Sequence, residues 1–175
     1  LSAWEKSVQK NTKLFLLETP SNPLGEVVDI EKLAAISKKN NIVLAVDNCV
    51  MTPALQKPLT LGADLVIHSA TKYIDGQGRC LAGAIAGSGP LIDEISTFTR
   101  STGPTLSAFN AWVVRKGLET LKIRMEAHCK SATKLAIWLS DQPFVKKVHY
   151  IGLESHPHHN VAKKQQTGFG GIVSF

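Results

Sequence analysis

The stretch "ADLVIHSATKY" (residues 63–73) decides how the chain is read. "ADLVIHS" is an apolar, β-branched run of strand length, and it ends on two hydroxyls and a lysine: Ser69, Thr71 and Lys72. An apolar run of this kind is a strand covered on both faces, as in a parallel sheet. A lysine that follows such a strand resists burial unless it has a partner or a covalent task.

The neighbouring sequence supplies the rest of an α/β pattern. "KLFLLE" (13–18) reads as a short strand, and "IVLAVD" (42–47) as a second strand covered on both sides. Between them, "DIEKLAAISKKNN" (29–41) carries Ile30, Leu33, Ala34 and Ile36 on one helical face. Asp29 is placed to cap its start, and lysines close its end. "AGAIAGS" (82–88) is a further strand candidate, thinned by glycine and alanine where something packs closely. Strand, helix, strand, link and strand is the grammar of a mostly parallel sheet.

Beyond residue 90 the pattern turns helical. "LIDEISTFTR" (91–100), "TLSAFNAWVVRKG" and "LKIRMEAHCKSATKLAIWLS" are the segments, with a break expected near Gly117 and a stop at Gln142–Pro143. Trp112 and Trp138 fall on apolar helical faces and are expected in the core. "VKKVHY" and "GGIVSF" read as closing strands. We place the domain boundary within the long helical region. Residues 1–130 are then part of a large domain, and 131–175 the start of a C-terminal one. The chain opens without Met and stops on an apolar strand, so the expectation is an internal piece of a longer polypeptide, with both domains incomplete.

Composition excludes several classes. No apolar run is long enough to span a bilayer, so no membrane partner is expected. The net charge of +6 comes from scattered short pairs without interleaved aromatics, which argues against nucleic acid and suits anionic small molecules. The three cysteines, Cys49, Cys80 and Cys129, are odd in number and widely spaced, as expected of reduced thiols in the cytoplasm. "SHPHH" (155–159) has no acidic partner and sits beside proline; it reads as a loop, and no metal site is expected. His68 reads as a packing residue.

In doubly wound sheets, ligands bind at the carboxyl ends of the strands. Here those ends carry Glu18 with the loop "TPSNPLG", Asp47, and the Ser69–Thr71–Lys72 group. Pyridoxal phosphate would use all of these types: an amine for its aldehyde, a carboxylate for its pyridinium nitrogen, and hydroxyls for its phosphate. A capped strand end with a lysine reaching to solvent accounts for the same spacing. Residue pattern alone leaves both readings open.

"ETPSNP", "AVDN" and "SATKY", in that order, resemble the Cys/Met metabolism family of PLP-dependent enzymes, as do "STGPTLSAFNAWVVRKGLETLKIRME" and "GFGGIVSF". "DGQGRCLAG" and "LESHPHH…KKQQTGFGGIVSF" look most like the O-succinylhomoserine sulfhydrylases of that family. The resemblance covers the chain from about residue 13. It implies the fold type I, aspartate-aminotransferase-like large domain plus the start of a small α+β domain. It implies Lys72 as the Schiff-base lysine and proton shuttle, Asp47 at the pyridinium nitrogen, and Ser69 and Thr71 at the phosphate. Asn22 would stand near the cofactor's phenolic oxygen and the substrate, and Glu18 would line the same pocket. Cys49 stands where the family often has threonine, and Ala82 where glycine is common.

The implied activity is γ-replacement on an activated homoserine ester, making homocysteine from O-succinylhomoserine and sulfide in methionine biosynthesis. The alternatives are cystathionine γ-synthase, or a cystathionine or methionine C–S lyase. A non-catalytic PLP-binding fragment is the alternative of another class. Self-association into a dimer-based homotetramer is also implied, with part of the pocket coming from a neighbouring subunit. The 175 residues alone are then expected to be inactive.

Overall fold

The computed structural model describes residues 1–175 and has the expected α/β architecture. After a short helix α1 (Ser2–Lys6), the strands β1 (Leu14–Glu18), β2 (Val43–Asp47), β3 (Leu65–Ser69) and β4 (Gly83–Gly87) form one four-stranded sheet in the order β1-β2-β3-β4. The first three strands are parallel, while β4 returns antiparallel on β3. The sequence reading, which did not separate β4 from its parallel neighbours, is refined there. The connection from β3 to β4 is only residues 70–82, which contain no crossover helix long enough to bring the chain back for a parallel strand.

Helix α2 (Ile30–Lys39) forms as the pattern predicts. The Asp29 carboxylate accepts the Lys32 N–H at 3.1 Å, and Ile30, Leu33 and Ala34 are buried. They pack on Phe15, Leu17, Leu44 and Val46, which the register sets side by side as Phe15 with Leu44 and Leu17 with Val46. Trp4 of α1 meets Phe15 edge-on, with ring centroids 5.0 Å apart. Strand β2 is buried along Leu44, Ala45 and Val46, as expected. Strand β1 is covered on one face only, since Leu14 and Leu16 are exposed. The interior of β4 is exposed as well. Gly87 lies close to β3, where an added Cβ would stand 2.6 Å from the Asp64 carbonyl oxygen.

A single turn, α3 (Thr52–Leu55), follows β2. The later chain is helical: α4 (Gly89–Thr102), α5 (Ala108–Glu119), α6 (Leu121–Ser140) and α7 (His159–Gln165). Met125 and Leu121 of α6 join Val27, Met51, Leu55, Ile151 and Ala162 in a second core, and Ala132 and Ala136 pack with Tyr150 in a third.

The structure departs from the sequence pattern at several places. The expected break between the two long helices is present and falls at Thr120, just past Gly117. Gly117 stays helical and is buried, because an added Cβ would lie 2.1 Å from the Ile74 carbonyl oxygen; it is a close approach, not a hinge. Trp112 and Trp138 are more than half exposed, at 55% and 53%. Helical spacing identifies an apolar face but not whether anything covers it. "VKKVHY" and "GGIVSF" form no strands, only one antiparallel bridge between His149 and Ser174. Gly170, at φ +73°, turns the chain away from extended geometry just before that bridge.

Gly117→Ala tests this close approach. It should destabilise the protein by about 1–3 kcal/mol through overpacking against backbone that cannot retreat. Urea unfolding measures it, and a change within error would show that α5 can shift freely.

Candidate active site

The parallel register aligns three strand ends. Glu18 pairs with Asp47, and Asp47 with Ile67, so these three side chains share the sheet face that turns away from α2. Ser69, two residues beyond Ile67, continues that face, and Lys72 follows three residues later. The structure thus places Glu18, Asp47 and Ser69 at the carboxyl ends of the three parallel strands, with Lys72 on the turn that follows β3.

Each residue is held differently. The Asp47 carboxylate accepts the Cys49 N–H at 2.9 Å through Oδ1, and Oδ2 takes no protein partner. The Glu18 carboxylate accepts the Asn22 N–H at 3.3 Å, which ties the loop after β1 to its own strand. Asn22 itself is exposed on that loop. The Ser69 hydroxyl and the Lys72 ammonium make no hydrogen bond or ion pair within the chain. The Thr71 hydroxyl is committed differently from the expectation: it accepts the Ala82 N–H at 2.9 Å and donates to the Ala82 carbonyl at 3.2 Å. To hold a phosphate, Thr71 would have to give up its bond to that carbonyl.

Cys49 fills the place expected of a threonine. Its Sγ accepts the Ser69 N–H at 2.6 Å, linking the end of β2 to the end of β3. Burial pushes the thiol up to about 11, and the Asp47 carboxylate adds to the rise. It therefore stays a neutral thiol at neutral pH, a packing and hydrogen-bonding group and not a nucleophile.

Lys72 lies in a five-residue π-type turn, Ala70–Ile74, and departs from helical geometry at φ −87°, ψ −118°. The turn is fastened on every side. Asp75 N–H reaches back to the Ala70 carbonyl and Gly76 N–H to the Lys72 carbonyl, both at 2.8 Å. The Asp75 side chain is fully buried and accepts Arg79 N–H at 2.7 Å and Arg79 Nε–H at 2.8 Å, which hold its carboxyl below the usual carboxylate range. Arg124 of α6 donates to the carbonyls of Tyr73 and Ile74.

The sequence reading missed this support. Arg124 interrupts the inward-facing series Leu121, Met125, Ala132, and a charged residue on that flank was the available signal. It also missed the buried amides. Gln56 donates to the Thr19 carbonyl at 2.8 Å and to Asn48 Oδ1 at 2.9 Å, and accepts from Gln165 and Gln166. Those bonds join the loop after β1, the end of β2 and the end of α7.

The histidine-rich stretch is tied into the fold by hydrogen bonds. His156 is buried; its Nε2–H donates to the Leu24 carbonyl at 3.2 Å, and its Nδ1 accepts the His158 N–H at 3.2 Å. It thereby supports the Asn22 loop from behind. His68 is buried as expected, with Nδ1 unpartnered.

The donor set fits pyridoxal phosphate. One carboxylate oxygen free to meet a ring N–H and one uncommitted hydroxyl lie at the carboxyl ends of neighbouring strands, one uncommitted amine follows on the turn after β3, and a neutral thiol joins the two strand ends.

Burial lowers the pKa of His156 below its usual 6.5, opposed by the Leu24 hydrogen bond and reinforced by charge at His158, His149 and Lys147. Burial lowers His68 likewise, against the pull of Asp47. The folded state therefore binds fewer protons than the unfolded one, and stability rises with pH through this range. Stability to urea should be full above pH 6.5 and fall as the pH drops below it. The His68→Gln/His156→Gln double variant should show a flatter profile; an unchanged slope would assign the effect to other groups.

The comparisons with known proteins follow the same lines. The whole chain, residues 1–175, matches the family described as "Cys/Met metabolism PLP-dependent enzyme". It is 60% identical over 175 residues to the O-succinylhomoserine sulfhydrylase of Pseudomonas aeruginosa, covering 100% of this chain and 43% of that protein. It is 46% identical over 168 residues to a cystathionine beta-lyase of Lactococcus lactis subsp. cremoris, covering 95% and 44%. Among solved structures, metB from Corynebacterium glutamicum superposes with a TM-score of 0.95 at 41% identity, over 98% of this chain and 45% of that one. The cystathionine gamma synthase of Xanthomonas oryzae pv. oryzae, in complex with aminoacrylate and cysteine, superposes at 0.90 with 40% identity, over 92% and 42%. The chain thus spans a little under half the length of the relatives it matches. It belongs to the Cys/Met metabolism PLP-dependent enzyme family.

Proposed function

We propose that the protein containing this chain carries out γ-replacement on O-succinylhomoserine, with sulfide as the nucleophile and homocysteine and succinate as products. The observation that carries this reading is the register that sets Glu18 beside Asp47 at the carboxyl strand edge, with Ser69 closing β3 and Lys72 on the turn that follows it. The choice of reaction within the family is supported by the 60% identity to a sulfhydrylase.

In this reading the Lys72 amine holds the cofactor covalently and moves a proton at the substrate α-carbon. The Asp47 carboxylate, through its free Oδ2, keeps a proton on the ring nitrogen. Ser69 donates to the phosphate, as Thr71 does once released from the Ala82 carbonyl. Asn22 and Glu18 line the substrate side. When bound, pyridoxal phosphate supplies the protonated ring that accepts the negative charge developing at the α-carbon.

Residues 1–130 are read as part of the large domain and 131–175 as the start of the C-terminal domain, with α6 running unbroken through the junction. A dimer-based homotetramer in the cytoplasm is part of the same proposal. So is the absence of turnover by residues 1–175 alone, since these span under half the length of the relatives.

A second reading, a C–S lyase acting on cystathionine, is favoured by the 46% identity to a cystathionine beta-lyase. Assays of the intact protein separate the two. Homocysteine formation from O-succinylhomoserine and sulfide should exceed pyruvate or 2-oxobutyrate release from cystathionine; the reverse ratio overturns the sulfhydrylase reading.

Two substitutions test the residue roles. Lys72→Ala should abolish borohydride-trapped cofactor and lower turnover by orders of magnitude; retained labelling removes Lys72 from the role. Asp47→Ala should leave the cofactor bound yet cripple α-proton exchange, since a charge-assisted hydrogen bond contributes on the order of 1.5–3 kcal/mol. Unimpaired exchange would exclude Asp47.

A further inference from the structure

The Arg124 guanidinium has an unusual set of partners. It forms no ion pair with a carboxylate. Its Nη1–H donates to the Tyr73 carbonyl at 2.7 Å, and its Nη2–H donates to the carbonyls of Ile74 at 3.3 Å and Gly117 at 2.8 Å. Nε–H donates to Thr120 Oγ1 at 3.1 Å. All three nitrogens are used, and two of the bonds fall on the first two residues after Lys72. Arginine alone among side chains offers this planar fork of donors with a fixed charge.

Two glycines clear room for it. Gly76 sits at φ +74°, and an added Cβ there would lie 2.3 Å from Arg124 Nη1 and 2.6 Å from its Cζ. At Gly117 the added Cβ would meet the Ile74 carbonyl that Arg124 binds. The clamp joins α6, the end of α5 and the π-type turn at one point. The turn's own ring of bonds, Asp75 to Ala70 and Gly76 to Lys72, fixes its shape but not its place relative to the sheet. That place is set from outside, by Arg124 on one flank and by the Thr71–Ala82 pair on the other.

We infer that Arg124 is a positioning residue for Lys72, resting on the reading that Lys72 carries the cofactor. It acts through the Tyr73 and Ile74 carbonyls, and it sets where the Lys72 Cα stands at the strand edge without touching cofactor or substrate. Its effect falls on covalent capture. In that step the neutral Lys72 nitrogen replaces the aldehyde oxygen of pyridoxal phosphate, and the oxygen leaves as water with the two amine protons, so nothing is oxidised or reduced. Affinity for the phosphate and ring, which rests on Asp47 and Ser69 outside the turn and on Thr71, anchored separately by the Ala82 N–H, is affected little.

The test uses the intact protein stripped of cofactor, with added pyridoxal phosphate as the probe. Arg124→Met keeps the packing stem and removes the donors; Arg124→Lys keeps the charge and a donor for one carbonyl. The rate of capture, followed by visible absorbance and borohydride trapping, should fall about tenfold to a hundredfold in Arg124→Met, the scale of a misplaced reacting group. Arg124→Lys should recover part of that loss. In a Lys72→Ala background, the dissociation constant for pyridoxal phosphate should change less than about twofold on adding Arg124→Met, a fold-change that corresponds to under about 0.4 kcal/mol. Capture within twofold of the parent in a folded variant overturns the inference, and so does an equal loss of noncovalent affinity in the Lys72→Ala background, which marks a general structural role. If Arg124→Met does not fold, Arg124→Lys decides by the same two measurements. Label retained by Lys72→Ala alone instead overturns the reading of Lys72 and is distinguished from both.

Discussion

Parallel register is the constraint on which the site depends. Once Glu18, Asp47 and Ile67 are paired residue for residue, two carboxylates must stand side by side on one face at the carboxyl edge. A slip of one residue would turn Asp47 to the opposite face and place Val46 at the edge. The register is defended by burial on the other face, where Phe15, Leu17, Leu44 and Val46 meet Ile30 and Leu33. Five-residue strands can hold a defined site because α2 rewards only one alignment.

A second constraint follows the sheet. Lys72 does not stand on a strand but on an irregular turn, and irregular backbone needs its carbonyls satisfied from outside. The chain meets this need by charge: Asp75 is buried against Arg79, and Arg124 is turned onto backbone oxygens. The polar groups near the site thus divide between those committed to protein partners and those left uncommitted. Asp47 Oδ2, the Ser69 hydroxyl and the Lys72 ammonium belong to the uncommitted class.

The later chain serves the site indirectly. Gln165 and Gln166 reach Gln56, which bonds the Thr19 carbonyl, and His156 bonds the Leu24 carbonyl. The loop between these carbonyls carries Asn22. Residues more than a hundred positions away therefore hold the segment read as the substrate side. The histidine-rich stretch, which suggests a loop when read alone, is better understood as a brace.

The sequence by itself determined the strands β1 to β3, the amphipathic α2 with its Asp29 cap, and the candidate residues at the strand ends. These follow from periodicity, capping chemistry and apolar runs, all of which act within a few residues. Recognisable motifs identified the family for the same reason, since each motif is compact in sequence. Only the tertiary structure decided the antiparallel return of β4, the exposure of Trp112 and Trp138, and the failure of "VKKVHY" and "GGIVSF" to form strands. It also decided that Thr71 is held by Ala82 and that Arg124, fifty-one residues after Tyr73, fixes the Lys72 turn. Each of these depends on which distant surface comes into contact. Burial and hydrogen-bond partnership are properties of pairs of segments, and no local pattern encodes the partner.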